Sequence, residues 1–195
     1  HRWNDLYLLF YPGTAYPEGV PGPGDIVTSE MVSSCRSRQR IRMAVTESPD
    51  GPWRRPDRPC LEARSGHWDS FMTTNPAPCV LPDGKILLLY KSSSGAANPI
   101  QYGVALADSP FDPFERIGPD RPILFEEPDI AYEDACVWHQ DDRFHMLFND
   151  LTGKLTGKKR PGANAVSGEG SPWRLHEPPK AYSRTGTWSD GRVTS

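Results

Sequence analysis

The chain has 195 residues, enough for one domain with a buried core. Its 17 glycines and 21 prolines disfavour long helices and favour an all-β protein. The net charge is -3, with 22 basic residues scattered among 25 acidic ones, so we expect no nucleic-acid partner. No apolar run approaches the roughly 20 residues that cross a bilayer, so we expect no membrane partner either.

Three short apolar runs predict three buried strands. They are residues 6–11 (LYLLFY), 86–90 (ILLLY) and 144–148 (FHMLF), each of strand length and flanked by Asp, Gly or Pro. Because none of them alternates strictly with polar residues, we expect inner strands that neighbouring sheets cover on both faces.

A turn that ends in an aromatic residue follows each apolar run. The turns are residues 48–53 (SPDGPW), 109–114 (SPFDPF) and 170–173 (GSPW), and their final aromatic residues recur about every 60 positions. Such even spacing over strand-forming sequence predicts a β-propeller, in which four-stranded blades repeat around an axis. We expect Trp53 and Trp173 to lie in its core. A β-sandwich with coincidental spacing is the alternative.

A second repeated segment predicts the first strand of each blade. Residues 75–85 (NPAPCVLPDGK) align with residues 133–143 (EDACVWHQDDR), which pairs Asn75 with Glu133. The dipeptides DG and DD near their ends predict tight turns into the second strands, since both tolerate positive φ. The chain begins near the position equivalent to Lys85, so we expect the opening strand of the first repeat to be missing.

The repeats divide the chain into about three blades. They span approximately residues 1–58, 70–118 and 131–177, and a fourth repeat begins within 181–195. We therefore expect a single partial β-propeller domain that does not close within this chain. The insertion at residues 13–37 predicts a long irregular loop, which either covers one rim of a site or is disordered.

Several of these segments resemble the five-bladed β-propeller glycoside hydrolases of the family 43 and family 117 types. The likeness rests on SPDGPW at 48–53, WDS at 68–70, TNPAP at 74–78, DGKILLLYK at 83–91, YED at 132–134 and FND at 148–150. The resemblance implies an axial, funnel-shaped site built from acids on the innermost strands of successive blades. It also implies a secreted or periplasmic protein that needs no cofactor, although some members carry a structural Ca²⁺.

The resemblance assigns roles to two adjacent carboxylates, Glu133 and Asp134. In family 43 the first blade supplies a base Asp, the second an Asp that tunes the acid, and the third the general acid Glu. Glu133 occupies the position of that acid, and we expect the base before His1. Asn75 occupies the tuning position but cannot ionise, so Asp134 is the candidate for the tuner or for the more important carboxylate.

The placement of these two acids on one strand raises a geometric question. Adjacent residues of a regular strand point to opposite faces, so Glu133 and Asp134 can share a substrate only if the strand is bulged or ends there. In the structural alternative, the pair is merely an exposed acidic strand end.

Further side chains are candidates for substrate binding, each with a structural alternative. The tryptophans are sugar platforms or core residues, the asparagine binds a hydroxyl or holds the strand entry, and the acid after FN faces the funnel or caps a turn. Because the family 117 type uses a histidine as acid, His67 and His145 are also candidate acids. The substrate-binding candidates are Asn75, Trp68, Asp69, Trp138, His145 and Asp150.

The leading interpretation is a glycosidase that cleaves plant or algal oligosaccharides or polysaccharides, with inversion, using a carboxylic acid and base in the axial funnel. A fructan hydrolase or glycoside phosphorylase on the same fold is one alternative. A carbohydrate-binding propeller without catalysis is the other, because Asn75 replaces an acid. Fold alone does not determine the substrate.

Overall fold

In the computed structural model, which describes residues 1–17, 19–124, 130–157, 160–183, 185–187 and 189–194, the chain forms three antiparallel sheets and a terminal hairpin. The first sheet contains β1 (Arg2–Trp3), β2 (Leu6–Gly13) and β3 (Arg40–Thr46). The second contains β4 (Thr74–Val80), β5 (Ile86–Ser92), β6 (Gln101–Ala107) and β7 (Glu115–Arg116). The third contains β8 (Tyr132–Gln140), β9 (Arg143–Asp150), β10 (Gly162–Ser167) and β11 (Arg174–Tyr182). The hairpin pairs β12 (Gly186–Thr187) with β13 (Val193–Thr194).

Each sheet is a meander, because its strands pair in the order in which they follow one another along the chain. The first strand of the second sheet, β4, lies beside both β2 and β8. The three sheets are therefore successive neighbours that meet along their inner edges, as blades do. We number them blade 1, blade 2 and blade 3. Blade 3 extends to Tyr182, beyond the predicted repeat boundary at residue 177.

The core consists of two layers of apolar side chains, one between each pair of blades. Strand β5 contributes side chains to both layers, because its successive side chains point to opposite faces of blade 2. Between blades 1 and 2 lie Leu8, Ile41, Met43, Val45, Ile86, Leu88, Tyr90 and Phe114. Between blades 2 and 3 lie Leu87, Leu89, Tyr102, Tyr132, Met146, Phe148 and Trp173.

The prediction that all three apolar runs are covered on both faces needs correction. The runs form the second strands β2, β5 and β9, and the innermost strand of blades 2 and 3 is the one that carries the predicted acidic and amide residues. All seven residues of β5 are buried, whereas β9 is buried at alternate residues and Leu9 of β2 is 49% exposed. Two-sided burial holds for blade 2 because, within the described part of the chain, it has a blade on each side.

The predicted tight turns are confirmed. Asp141 and Asp142 form a two-residue connection between β8 and β9 with φ of 50° and 56°. Positive φ at both residues is what a type I′ hairpin requires, and Asp tolerates it. Gly84, with φ of 91°, supplies the positive φ in the turn between β4 and β5.

Two elements of blade 1 differ from the prediction. Two residues of an opening strand are present as β1, in which Arg2 and Trp3 pair with the start of β2. The insertion is not wholly irregular, because it contains the helix α1 (Ser29–Ser37), whose first turn is capped by the Thr28 hydroxyl accepting from Met31 N. No residue of α1 is buried, so its sequence lacks the apolar periodicity by which a helix is recognised.

The aromatic residues of the closing turns also differ from one another. Trp173 is 6% exposed and Phe114 is 7% exposed, but Trp53 is 37% exposed, so the prediction of a core position for Trp53 is wrong. Phe114 and Trp173 each pack into the layer shared with the preceding blade. Blade 1 has no preceding blade among the described residues, and Trp53 therefore lacks that contact.

The close approach of β5 and β6 yields a stability prediction. Gly103 of β6 pairs with Tyr90 of β5, and a Cβ atom on Gly103 would overlap the buried Tyr90 ring. We expect Gly103→Ala to lower the free energy of unfolding of the full-length protein by about 1–3 kcal/mol in urea denaturation. The control is Gly168→Ala, because a Cβ there meets nothing within 4 Å. Equal losses in the two variants would contradict this packing.

Candidate active site

The strand that carries the two predicted acids is bulged at those acids. Glu133 of β8 pairs with Asn149 of β9, but the next pair joins Cys136 to Leu147, so two residues of β8 lie opposite one residue of β9. The first residue of this bulge, Asp134, has φ of 56°. Bulges re-aim side chains that regular pleating would send to opposite faces. The condition under which both acids can share a site is therefore met.

Strand β4 of blade 2 has the same bulge at the same place. Thr74 pairs with Lys91, the register shifts before Ala77, and Asn75 has φ of 43°. Asn and Asp are the residues that best tolerate this left-handed conformation. The repetition shows that the bulge belongs to the blade and is not an accident of one strand.

The shared bulge corrects the predicted alignment of the two blades by one residue. The pairing of β4 with β5 and of β8 with β9 makes Asn75 equivalent to Asp134, not to Glu133, and makes Thr74 equivalent to Glu133. The alignment was wrong because five residues lie between the paired Val80 and Ile86 of blade 2, whereas four lie between the equivalent pair His139 and Phe144 of blade 3. A residue deleted from a turn shifts a sequence alignment without changing the strand geometry.

Asp134 receives hydrogen bonds from two side-chain amides. Asn75 Nδ2 donates to one carboxylate oxygen at 3.3 Å, and Asn149 Nδ2 donates to the other at 3.2 Å. The Tyr182 hydroxyl donates to Asn149 Oδ1 at 2.9 Å, which directs the NH₂ group of that amide towards Asp134. Asp134 itself is exposed, so a solute can reach it.

Glu133 forms an ion pair that joins blade 2 to blade 3. Lys91 Nζ lies 3.3 Å from Glu133 Oε2, and the two side chains are only 10% and 23% exposed. Lys91 follows the buried apolar run of β5, and a lysine at such a depth is normally paired. The pair places a cation and a carboxylate together beside the exposed Asp134.

Two buried tyrosines stabilise the bulge of β8. Ala135 N, within the bulge of β8, donates to the Tyr102 hydroxyl at 3.2 Å, and the Tyr102 and Tyr132 rings stack with centroids 5.7 Å apart. Burial raises the pKa of Tyr102 above its usual range, and the nearby Asp134 and Glu133 carboxylates act in the same direction. Tyr102 therefore remains a neutral phenol that fixes the backbone under the two acids.

We call this cluster the acidic site. Its two carboxylates come from one bulged strand, and its cation and amides come from three neighbouring strands, all at the same end of blades 2 and 3. Such a group can bind sugar hydroxyls through amides and carboxylates and can transfer protons through its acids. It consists of Asn75, Lys91, Glu133, Asp134 and Asn149.

Trp68 and Asp69 lie outside the acidic site. Trp68 stacks on Tyr90 with centroids 6.0 Å apart and packs against the layer between blades 1 and 2. Asp69 has no exposed surface, and its carboxylate is bound by Arg64 at 2.9 Å and Arg116 at 2.7 Å. Both residues therefore hold the loop before β4 against blade 2.

The two histidines proposed as acids are also remote from Glu133. His67 Nδ1 lies 2.6 Å from Asp120 Oδ2 in an exposed cluster with Arg64. Hydrogen bonds from His67 and then Arg64 lower the pKa of Asp120. His145 stacks on Trp138, its cross-strand partner, with centroids 5.2 Å apart. This stacked pair lies further along β8 and β9, and neither member touches the acidic site.

Asp150 caps a turn, which was the alternative to a position facing the funnel. It is fully buried, although it follows Asn149 directly. Its carboxylate accepts hydrogen bonds from Gly153 N at 2.8 Å, Leu155 N at 3.0 Å and Thr156 N at 3.0 Å. Asp150 thus organises the loop after β9 and has no free oxygen directed at a substrate.

Three residues of this region were missed by the sequence analysis. Lys91 had a usable signal, because a lysine at the end of an apolar strand must find a partner. Asn149 belongs to the FND segment of the resemblance, but its role depends on its pairing with Glu133. Tyr182 had no signal, since it comes from the outermost strand of blade 3 and meets Asn149 only in the folded chain.

Among the residues that the structure describes, no three His, Cys, Asp or Glu side chains converge as a metal-binding group. No helix in the described ranges has the length and apolar character needed to cross a membrane.

Solved structures that share this fold include several glycoside hydrolases. A family 117 glycoside hydrolase from the marine bacterium Zobellia galactanivorans matches with a TM-score of 0.62 at 23% identity, covering 89% of this chain and 43% of that one. A family 43 β-xylosidase/α-arabinofuranosidase from a compost microbial metagenome matches with 0.62 at 15%, covering 90% and 56%. A glycosyl hydrolase from Bacteroides ovatus matches with 0.61 at 12%, covering 99% and 48%.

These likenesses confirm the fold class: the chain is part of a glycosidase-type β-propeller. It spans about half the length of the solved structures it matches. No protein-family model matches the sequence, and no curated protein matches it significantly. The likeness therefore shows the architecture, and the activity must be argued from the acidic site.

Proposed function

We infer that the acidic site is part of the active site of an inverting glycoside hydrolase that acts on plant or algal oligosaccharides or polysaccharides. The observation that supports this proposal is the bulge of β8 at Glu133 and Asp134, which permits both side chains to lie on one face of the strand. Glycoside hydrolysis needs a pair of carboxyl groups around the scissile bond. A propeller supplies them from strands far apart in the chain.

In this proposal Glu133 is the general acid. It transfers its proton to the glycosidic oxygen as the bond to the anomeric carbon breaks, while a second carboxylate takes a proton from the attacking water. A protonated Glu133 no longer forms an ion pair with Lys91, and the ion pair re-forms when the proton has left. Lys91 therefore stabilises the carboxylate that the reaction produces.

Asp134 has a positioning and charge-balancing role in the same proposal. Its oxygens accept from Asn75 and Asn149, so the strands of two blades are tied together at the acid. Because Asp134 is exposed, it can also accept a hydrogen bond from a sugar hydroxyl. The base is a carboxylate not identified among these residues, which the resemblance places before His1.

The experiment is the replacement Asp134→Asn in the full-length protein. Asparagine tolerates the φ of 56° at this position, so the bulge is preserved while the charge is lost. We expect kcat/KM for the glycan substrate to fall by about 10²-fold, measured by reducing-sugar release. NMR of the first product is expected to show the inverted anomer.

A matched control is available in the turn that follows the same strand. Asp141 is exposed and has φ of 50°, but it lies in the turn at the opposite end of β8. Asp141→Asn should leave turnover unchanged, since Asn is also favoured in this turn. Equal turnover by the two variants would remove Asp134 from the site, and a retained anomer would refute the inverting mechanism.

A carbohydrate-binding propeller without catalysis is the second candidate function. It is favoured by the neutral Asn75 and by the fact that both carboxylates already have protein partners. Calorimetric titration of the full-length protein with candidate glycans separates the two functions. Glycan binding without any hydrolysis would support the binding module and contradict the hydrolase.

A further inference from the structure

A cleft of about 530 Å³ on blade 1 is lined by Arg38, Arg40, Arg42 and Arg55, and we call it the arginine cleft. We propose that it is a subsite for an anionic group, a sulfate ester or a carboxylate, on the polysaccharide that the acidic site acts on. This proposal rests on the proposed function for its choice of ligand, and its binding test does not depend on catalysis.

The charges of the arginine cleft are not balanced by its own acids. Asp57 is the acidic residue in its lining, against four arginines. Arg40 Nε lies 3.0 Å from Glu62 just outside the lining. The side chains of Arg38 and Arg55 are exposed and form no hydrogen bond or ion pair with any described residue. Like charges held together in a concave surface attract a counter-ion.

Two of the guanidinium groups are held in position by the backbone. Arg40 Nη1 donates to the carbonyls of Ser37 and Gln39 at 3.0 Å and 2.7 Å, and Arg42 Nη1 donates to the carbonyl of Asp57 at 2.9 Å. Each guanidinium has five N–H donors, so several remain for a ligand. The planar fork of such donors matches the oxygens of a carboxylate or a sulfate.

The position of the arginine cleft connects it with the acidic site. The end of β2 pairs with the start of β3 through Gly13 and Arg40, which is the blade 1 counterpart of the Ser92–Gln101 pair in blade 2. Ser92 directly follows Lys91 of the acidic site. The arginine cleft and the acidic site therefore lie at the same end of neighbouring blades, where one extended polymer can reach both.

An aromatic ring makes the arginine cleft suitable for a sugar rather than for a bare inorganic ion. Tyr11 is the cross-strand partner of Arg42 and lines the same cleft. Aromatic rings pack against the C–H faces of sugars, and directly opposite residues on paired strands point to the same face. A sugar stacked on Tyr11 can present its charged substituent to the guanidinium groups.

The test measures binding by the full-length protein with the background variant Asp134→Asn, so that hydrolysis does not interfere. The probes are a sulfated galactan oligosaccharide, an oligogalacturonide and a neutral xylo-oligosaccharide, each titrated calorimetrically at low and high salt. The test variant is Arg38→Ala/Arg55→Ala, because neither side chain has a partner among the described residues whose loss would disturb the fold. The control is Arg143→Ala/Arg174→Ala, two exposed arginines of blade 3.

We expect the test variant to bind an anionic oligosaccharide about tenfold more weakly than its parent, with a shallower salt dependence, and the control variant to bind unchanged. Preference between the galacturonide and the sulfated galactan identifies the anion. Equal binding of anionic and neutral probes, or unchanged binding by the test variant, would overturn the proposal. Arginine-dependent binding, together with no glycan hydrolysis by the protein that retains Asp134, would refute the proposed hydrolase and leave the anion subsite standing.

Discussion

Glu133→Gln in the full-length protein is expected to lower kcat on a natural glycosidic linkage by about 10²- to 10⁴-fold. The glutamine amide cannot supply the proton that the leaving oxygen requires. Its carbonyl oxygen can still accept from Lys91 Nζ, so the contact between blades 2 and 3 is retained. Circular dichroism and urea denaturation should therefore show a folded protein.

The loss of turnover on substrates with different leaving groups shows whether Glu133 acts as an acid. An aryl glycoside with a strongly acidic phenol needs little protonation, so the loss in Glu133→Gln should shrink markedly on that substrate. Glu169→Gln, at an exposed position of blade 3, is the matched control and should turn over both substrates normally. An equal loss on both substrates would assign Glu133 to positioning, and no loss would exclude it from the mechanism.

The largest expected effect on stability is that of Asp69→Asn. Asp69 has no exposed surface and accepts from Arg64, from Arg116 at 2.7 Å and from the Tyr90 hydroxyl at 2.9 Å. Neutralising one partner of a buried pair leaves the other charges uncompensated. We expect the free energy of unfolding to fall by about 3–5 kcal/mol, towards the lower value because both arginines keep some solvent contact.

A surface pair provides the control for Asp69. Asp108 lies 3.7 Å from Lys85, and their side chains are 79% and 44% exposed. Asp108→Asn should lower the free energy of unfolding by no more than about 1 kcal/mol, because water screens the pair. Similar denaturation midpoints for the two variants would mean that the Asp69 network does not hold blade 2 together.

The fold was predictable because its signals are local and repeated. The run at residues 86–90, the two-Asp turn after β8 and the recurring aromatic turns each lie within one short segment. The even spacing of these segments indicated in addition that the sheets are repeats of one another and follow one another along the chain. Helix α1 escaped prediction because a helix that buries none of its residues has no apolar stripe to reveal it.

The membership of the acidic site was predictable only in part. Asn75, Glu133 and Asp134 were singled out from the sequence, and the structure brings them together. Trp68, Asp69, Trp138, His145 and Asp150 were singled out with equal reason and lie elsewhere. Residue type and position in a repeat do not distinguish an acid that faces solvent from one that binds its own loop.

The amino-acid sequence by itself determined that this protein is a set of antiparallel blades with two adjacent acids near the start of a first strand. Hydrophobic pattern and turn chemistry act over a few residues, so they can be read from the chain. Only the tertiary structure decided that β8 is bulged at Glu133 and Asp134, that Lys91 pairs with Glu133 and that Asn149 donates to Asp134. Those contacts depend on strand register and on neighbouring blades, which are set by packing between residues far apart in the chain.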